Sequence, residues 1–336
     1  MLSTSPSEQL RVGVLGAGHL GKIHLRCLGE LPEHYQLVGF YDPNPELSAQ
    51  VAAESGLHRF DSIADLIEAV DVVDIVTPTL SHYDCAVQAL ERGRHLFIEK
   101  PVTHTLEEAR DLLRRIENTA LKVQVGHVER FNPAYVEARK SIAQPRFIEI
   151  HRLAEFNPRG TDVPVVLDLM IHDIDIVLDA VRSDLVDVRA NGVAVVSSSP
   201  DIATARLEFA NGAVANLTAS RISLKNMRKA RFFQQDAYIT VDFLKKETEF
   251  VRMKDAPPEP DPFAMVLELG DGQKRQIEFE RPSLVQTNAI RDELRTLSES
   301  INNDTTPIVS LKDGYRALEV AQNILSEVER NTANRA

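Results

Sequence analysis

The chain has 336 residues, 43% hydrophobic and 26% charged, with a formal net charge of −12 at pH 7. At ~100–200 residues per domain this makes two domains, each able to bury a core without covalent staples. The acidic balance runs against DNA or RNA as the main partner, because nucleic-acid binders carry a basic face or stripe. Cys27 and Cys85 form neither a disulfide framework nor a metal-ligand spacing, the usage of a reducing cytosol. Met1–Leu10 lacks the apolar core of a signal peptide, and no run approaches the ~18–20 apolar residues of a membrane span. The expectation is a soluble, cytoplasmic protein.

Up to about residue 126, short apolar runs alternate with helical patterns. Arg11–Leu15 reads as a strand, His19–Leu31 as a helix, Gln36–Tyr41 as a strand, and Pro45–Ser55 and Ser62–Ala69 as helices. Val72–Val76 reads as a buried strand, Tyr83–Arg92 as a helix ended by Gly93, and His95–Ile98 as a strand. Leu106–Asn118 is a helix and Lys122–Gly126 a strand. Such alternation implies βαβ units and a parallel sheet covered on both faces. After residue 126 the texture changes. Arg146–Leu153 is a strand, and Val165–Ala180 a helix opened by Pro164. Alternating runs then flank Asn211-Gly212, a strong hairpin signal. Tyr238–Phe243, Ala264–Leu269 and Gln276–Phe279 continue the pattern, with a turn at Asp271-Gly272 and a stiff loop at Asp255–Asp261. Helices at Asn288–Asn302 and Asp313–Asn331 close the chain.

Gly16-Ala17-Gly18-His19-Leu20-Gly21 lies directly after the first strand and opens the first helix. Gly16 permits the tight turn, Gly18 lets backbone approach a pyrophosphate, and Gly21 lets helix and strand pack closely. The helix N-terminus then offers free N–H groups to phosphate. His19 and Leu20 belong to the same cofactor loop. Asp42 ends the second strand, somewhat beyond the usual ~20-residue spacing. An acid there binds ribose hydroxyls and repels a 2′-phosphate, which favours NAD over NADP. The expected fold is α/β: an N-terminal Rossmann parallel sheet, then an α+β domain with a mostly antiparallel open sheet. The boundaries read as 1–126, 127–310, and 311–336 as a helix packing back on the first domain.

Four further motifs follow in order: Thr77-Pro78-Thr79-Leu80-Ser81-His82, Glu99-Lys100-Pro101, Arg130-Phe131-Asn132-Pro133, and Asp168-Leu169-Met170-Ile171-His172. In order and spacing the sequence resembles the Gfo/Idh/MocA oxidoreductases, the glucose–fructose oxidoreductase and inositol dehydrogenase family, over nearly the whole chain. Met170 stands where many members have Gly. Ligands of an open parallel sheet bind at the carboxyl ends of its strands, where Thr77, Lys100 and His127 sit. The resemblance implies oxidation of a sugar hydroxyl, with Lys100 and His172 both contacting it. An unperturbed histidine titrates near working pH, so His172 is assigned as the base and Lys100 as the group that polarises the developing carbonyl oxygen. Asp168, one helical turn before His172, orients it or binds substrate. Asp175 and Asp179 continue the stripe, which a solvated helix face would also give. Thr77, Pro78, His82 and Glu99 fall on the cofactor side, together with Lys100.

Ser220–Arg231 carries Arg221, Lys225, Arg228, Lys229 and Arg231 with no acid between them. This local basic island reads either as a phosphate or diphosphate site, helped by Arg152 and Arg159, or as a solvated loop beside an acidic surface. His127, Arg130 and Asp168 complete the expected substrate contacts. The stretches from Gly126 to Pro133 and from Val166 to Asp175 resemble a branch of UDP-N-acetylglucosamine 3-dehydrogenases, whose keto product supplies amino-sugar synthesis for lipid A or surface polysaccharide. Two alternatives remain: a dehydrogenase of a free polyol such as inositol, and a non-catalytic NAD-binding regulator. No His pair or acidic cluster has metal spacing, so no metal is expected. The family resemblance also implies a homodimer or homotetramer through the C-terminal sheet.

Overall fold

The computed structural model describes residues 9–157, 163–258, 264–270 and 272–333. The chain divides into two compact units. The first contains β1 (Leu10–Leu15), α1 (His19–Gly29), β2 (Tyr35–Tyr41), α2 (Pro45–Ser55), α3 (Ile63–Ala69), β3 (Val72–Ile75), α4 (His82–Glu91), β4 (His95–Glu99), α5 (Leu106–Ile116) and β5 (Val123–Gly126). Its five strands are parallel in the order β2-β1-β3-β4-β5. β3 and β5 are buried along their whole length, as expected of strands covered on both faces. Local chemistry sets the helix ends. The Asn44 side chain accepts from the Glu46 and Leu47 N–H groups before α2, and Gly56 ends that helix in the left-handed region at φ 69°. Thr105 and Glu108 form a reciprocal capping box at α5.

The second unit contains α6 (Pro133–Arg139), β6 (Phe147–Leu153), α7 (Ile171–Val181), β7 (Leu185–Val193), β8 (Ile202–Phe209), β9 (Val214–Ser220), β10 (Met227–Gln234), β11 (Ala237–Asp242), β12 (Glu247–Asp255), β13 (Met265–Glu268) and β14 (Lys274–Glu280). They form one nine-stranded sheet, β13-β14-β12-β11-β10-β6-β9-β8-β7, in which only the β6–β9 pair is parallel. The hairpin at Asn211-Gly212 forms between β8 and β9, with Gly212 at φ 80°. α8 (Ala289–Asn302) and α9 (Leu311–Ala333) follow.

The structure departs from the sequence reading in three places. Residues Asn288–Glu319 belong to the first unit rather than to a domain 127–310. α8 is bound there by its own apolar face: Leu294 and Leu297 join the core of Val12, Val14 and Phe40, and the Tyr35 hydroxyl donates to the Leu294 carbonyl. The last helix is divided, its residues from Val320 onward grouping with the second unit. The helix expected at Val165–Ala180 begins as a π-helix, Val166–Met170, before the regular α7. β7, β10, β12 and α6 had no clear sequence signal; β10 takes up the end of the basic stretch. Asp271 and residues 259–261 of the expected turn and loop lie outside the described residues. No described helix is long and apolar enough to cross a membrane.

Candidate active site

The glycine loop has the geometry its sequence requires. Gly16 sits at φ 98°, and a Cβ there would meet the Val76 carbonyl oxygen at 2.7 Å. A Cβ on Gly21 would stand 2.1 Å from the Gly16 carbonyl oxygen, so helix and turn touch backbone to backbone. A Cβ on Gly18 would meet nothing within 4 Å, which leaves open space at the N-cap of α1. No acidic residue occupies the first turn of α1, so its N-terminal N–H groups keep their attraction for an anion. Asp42 leans onto the loop: its Oδ2 accepts from the Ala17 N–H at 2.8 Å and its Oδ1 from the Asn44 N–H at 2.9 Å. A groove of about 670 Å³ runs along these residues, lined also by His19, Leu20, Tyr41, Thr77 and Pro78. The open N-cap, the exposed first turn and the carboxylate fit a dinucleotide.

Beyond β3 and β4 the expected cofactor-side residues divide by role. His82 is 1% exposed, with Nδ1 3.0 Å from the Pro101 carbonyl and Nε2 2.8 Å from the Thr77 carbonyl. It stands between two strand-end loops; burial holds its pKa below the ordinary histidine value, and the neutral ring donates to one of the two carbonyls. Glu99 is also buried, its Oε2 accepting from the Lys100 N–H at 3.1 Å. Gly126 lies opposite it on β5, and a Cβ there would meet Glu99 Oε1 at 2.8 Å. Lys100 is half-buried and precedes a cis peptide to Pro101. His127, the residue after β5, is buried.

Behind Glu99 lies a group that sequence reasoning missed. His24 Nδ1 is 2.9 Å from Asp74 Oδ2, and its Nε2 is 3.2 Å from Glu99 Oε1. Polar ligand atoms of His24, Glu99 and Glu293 all lie within 4.8 Å of one another. All four residues are buried. Burial disfavours the His24 imidazolium, but Asp74 and Glu99 outweigh it and hold the pKa well above the usual value. Burial likewise pushes Glu99 up, yet His24 and Lys100 bring it below the ordinary carboxylate range. Burial and the Glu99 charge push Glu293 well up. The available signals were Asp74, a charge inside the apolar run Val72–Val76, and His24 on the inward stripe of α1.

In the second unit, Asp168 lies within the π-helical turn and His172 in the first turn of α7, both half-buried. π-turns inside helices are frequent at functional sites. The rest of the stripe is not solvated. Asp175 receives the Arg130 guanidinium at 2.7 and 2.8 Å. Asp179 binds Arg130 at 3.1 Å, Arg139 at 2.6 Å and the Tyr135 hydroxyl at 2.7 Å. Arg152 is 2% exposed and held by Asp173 at 2.8 Å and Glu129 at 2.9 Å. Arg221 is 4% exposed, donates to the Val163 carbonyl and stands 3.9 Å from Asp201. Arg130, Arg152 and Arg221, expected at the substrate, are thus committed to internal partners. The island is neutralised as well. Arg228 lies 3.6 Å from Glu129, Lys229 3.3 Å from Asp242 and Arg231 2.9 Å from Glu149. Lys225 is exposed, and half of the Arg228 side chain remains accessible. Arg159 lies outside the described residues.

A dinucleotide-binding parallel sheet joined to a separate, largely antiparallel α+β unit defines a class of two-domain NAD-dependent dehydrogenases. Family comparison places this chain within it. Residues 10–127 match the Gfo/Idh/MocA oxidoreductase family's NAD-binding Rossmann fold, and residues 137–240 match the Gfo/Idh/MocA C-terminal domain. UDP-N-acetylglucosamine 3-dehydrogenase of Acidithiobacillus ferrooxidans is 44% identical over 236 residues, covering 70% of this chain and 74% of that protein. Its solved structure superposes with a TM-score of 0.86 at 35% identity, covering 96% of this chain and 99% of the other. The scyllo-inositol 2-dehydrogenase (NAD(+)) of Bacillus subtilis is 30% identical over 64% of this chain and 68% of its own. Levoglucosan dehydrogenase in complex with NADH shares the fold, with a TM-score of 0.80 at 20% identity, covering 96% of this chain and 98% of that one. The chain belongs to the Gfo/Idh/MocA oxidoreductase family and is an NAD-dependent sugar dehydrogenase.

Proposed function

We propose that this enzyme oxidises the 3-hydroxyl of UDP-N-acetylglucosamine to a ketone. The observation that carries the reading is the 44% identity to a UDP-N-acetylglucosamine 3-dehydrogenase, against 30% to an inositol dehydrogenase. Bound NAD+ supplies the hydride acceptor. His172 takes the hydroxyl proton, Asp168 orients His172, and Lys100 stabilises the charge that grows on the oxygen. Asp42 binds the adenosine ribose, Thr77, Pro78 and Glu99 shape the cofactor edge, and His127 contacts the sugar. Lys225, and the accessible half of Arg228 beside its Glu129 partner, are left to meet a diphosphate. The 3-keto product then serves amino-sugar synthesis for lipid A or surface polysaccharide in the cytoplasm. Val186, Val193, Met265 and Phe279, exposed on the nine-stranded sheet, support assembly as a homodimer or homotetramer through that sheet.

One observation favours a free polyol instead: most of the basic island is neutralised by the protein's own acids. Incubating the enzyme with NAD+ and either UDP-N-acetylglucosamine or inositol, and following NADH absorbance, decides between them. The proposal expects turnover with the sugar nucleotide and its loss in Lys100→Ala. Turnover with inositol alone refutes the substrate, and undiminished turnover of Lys100→Ala refutes the site.

A further inference from the structure

We propose that Glu293 is a positioning residue of the dehydrogenase site, a buried carboxylic acid that holds a proton against Glu99 and so fixes the carboxylate anchoring the Lys100 peptide. The inference rests on the proposed role of Lys100. Glu99 is the pivot. Its Oε2 accepts from the Lys100 N–H, its Oε1 faces His24 Nε2, and Gly126 leaves the room in which it lies. The group opposite is Glu293 on α8, fully buried, whose two carboxyl oxygens receive no hydrogen bond from the described residues and one of which lies within 4.8 Å of a Glu99 carboxylate oxygen. Two carboxylates this close, out of water, cannot both stay ionised; one must take a proton or a cation must sit between them. The other groups facing the cluster are Asp74 on β3 and His24 on α1, with Tyr35 on β2 and Cys27 on α1 beside them.

Charge balance decides which carboxyl holds the proton. Glu99 has the histidine and the nearby Lys100 charge to favour its anion, whereas Glu293 has only the repulsion of Glu99 and Asp74 set against His24. The proton therefore resides on Glu293. A protonated acid is one donor and can serve Glu99, as a carboxylate cannot. α8 thereby bears on the peptide that carries Lys100, while His24 ties the same carboxylate to the helix that begins at the glycine loop.

A neutral Glu293 predicts a sign for stability. The folded protein keeps a proton that the unfolded chain loses as pH rises through the ordinary glutamate range, so stability falls with pH on this account. Glu293→Gln keeps a donor and removes the titration. Its melting temperature should gain on wild type progressively from pH 5 toward higher pH. His24 and Glu99 titrate in both proteins and cancel in that difference.

The test compares wild type, Glu293→Gln and Glu293→Leu. In infrared spectra at neutral pH, wild type should show the carbonyl stretch of a protonated carboxyl group, shifted in D2O and absent from Glu293→Gln. This readout does not depend on turnover, so it stands or falls separately from the role of Lys100. Glu293→Gln should keep kcat within about threefold. Glu293→Leu should lose about tenfold in kcat with little change in KM for NAD+, as expected when a hydrogen bond to a charged group is removed. The acid limb of its pH profile should move upward, because Glu99 without its donor protonates more readily. The proposal is overturned if the band is missing from wild type or survives in Glu293→Gln. It is overturned equally if Glu293→Gln is as impaired as Glu293→Leu, if Glu293→Leu leaves the profile unmoved, or if wild type holds a stoichiometric metal ion that Glu293→Gln loses. Should Glu293→Leu fail to fold, the band and the pH trend of Glu293→Gln still decide.

Discussion

The glycine loop at Gly16–Gly21 and the basic stretch at Ser220–Arg231 look equally distinctive as sequence, yet they meet opposite fates in the fold. The loop depends on the backbone: a φ of 98° at Gly16, a backbone contact under Gly21 and open space at Gly18. Nothing distant in sequence changes those demands. The basic stretch depends on charge, and charge is cancelled from anywhere in the chain. Glu129, Glu149, Asp201 and Asp242 come from other elements and stand against four of its five cations. A motif made of conformational needs survives folding; a motif made of side-chain charge is only as real as its three-dimensional neighbours allow.

Substitutions that attack each region sharpen this contrast. Gly21→Ala should have the largest effect, because its Cβ would overlap the Gly16 carbonyl oxygen and displace the loop. NAD affinity, measured by calorimetry, should fall by about tenfold or more, since relieving such an overlap costs about 1–3 kcal/mol. A Gly21→Ala protein that binds NAD normally would show that the close approach is not needed. In the second unit the largest loss should come from an arginine that sequence assigned to substrate. Arg152→Ala leaves Asp173 and Glu129 buried with only the more distant Arg228 to balance them and should cost about 3 kcal/mol of stability in denaturant unfolding. Lys225→Ala should leave stability unchanged and raise KM for the sugar nucleotide by at most about fivefold, the range of one exposed ion pair. Equal effects of the two substitutions on KM alone would mean that Arg152 serves ligand rather than fold.

Much of the architecture is legible in the sequence because it follows from local periodicity. The five parallel strands stand out as short apolar runs between amphipathic helices, and Asn211-Gly212 marks its hairpin. β7, β10 and β12 were not legible. β10 is the instructive case: Met227–Gln234 opens with charge, and its place in the sheet depends on pairing with β6 and β11, far away in sequence. The same limit explains the site. Glu99-Lys100-Pro101 and Asp168 with His172 are contiguous motifs and could be read directly. The His24–Glu99–Glu293 group joins three distant segments, and only folding shows that Asp175 and Asp179 face arginines rather than water. For α8 the amphipathic pattern revealed a helix but not the unit it would cover.

The central claim concerns one carbon–hydrogen bond. UDP-N-acetylglucosamine carrying deuterium at C3 should transfer that deuterium to NAD+, giving NADD and a 3-keto sugar nucleotide. Deuterium at C4 should remain in the sugar. Transfer of label from C4, or no NAD+ reduction by the sugar nucleotide under conditions where inositol is oxidised, would contradict the account.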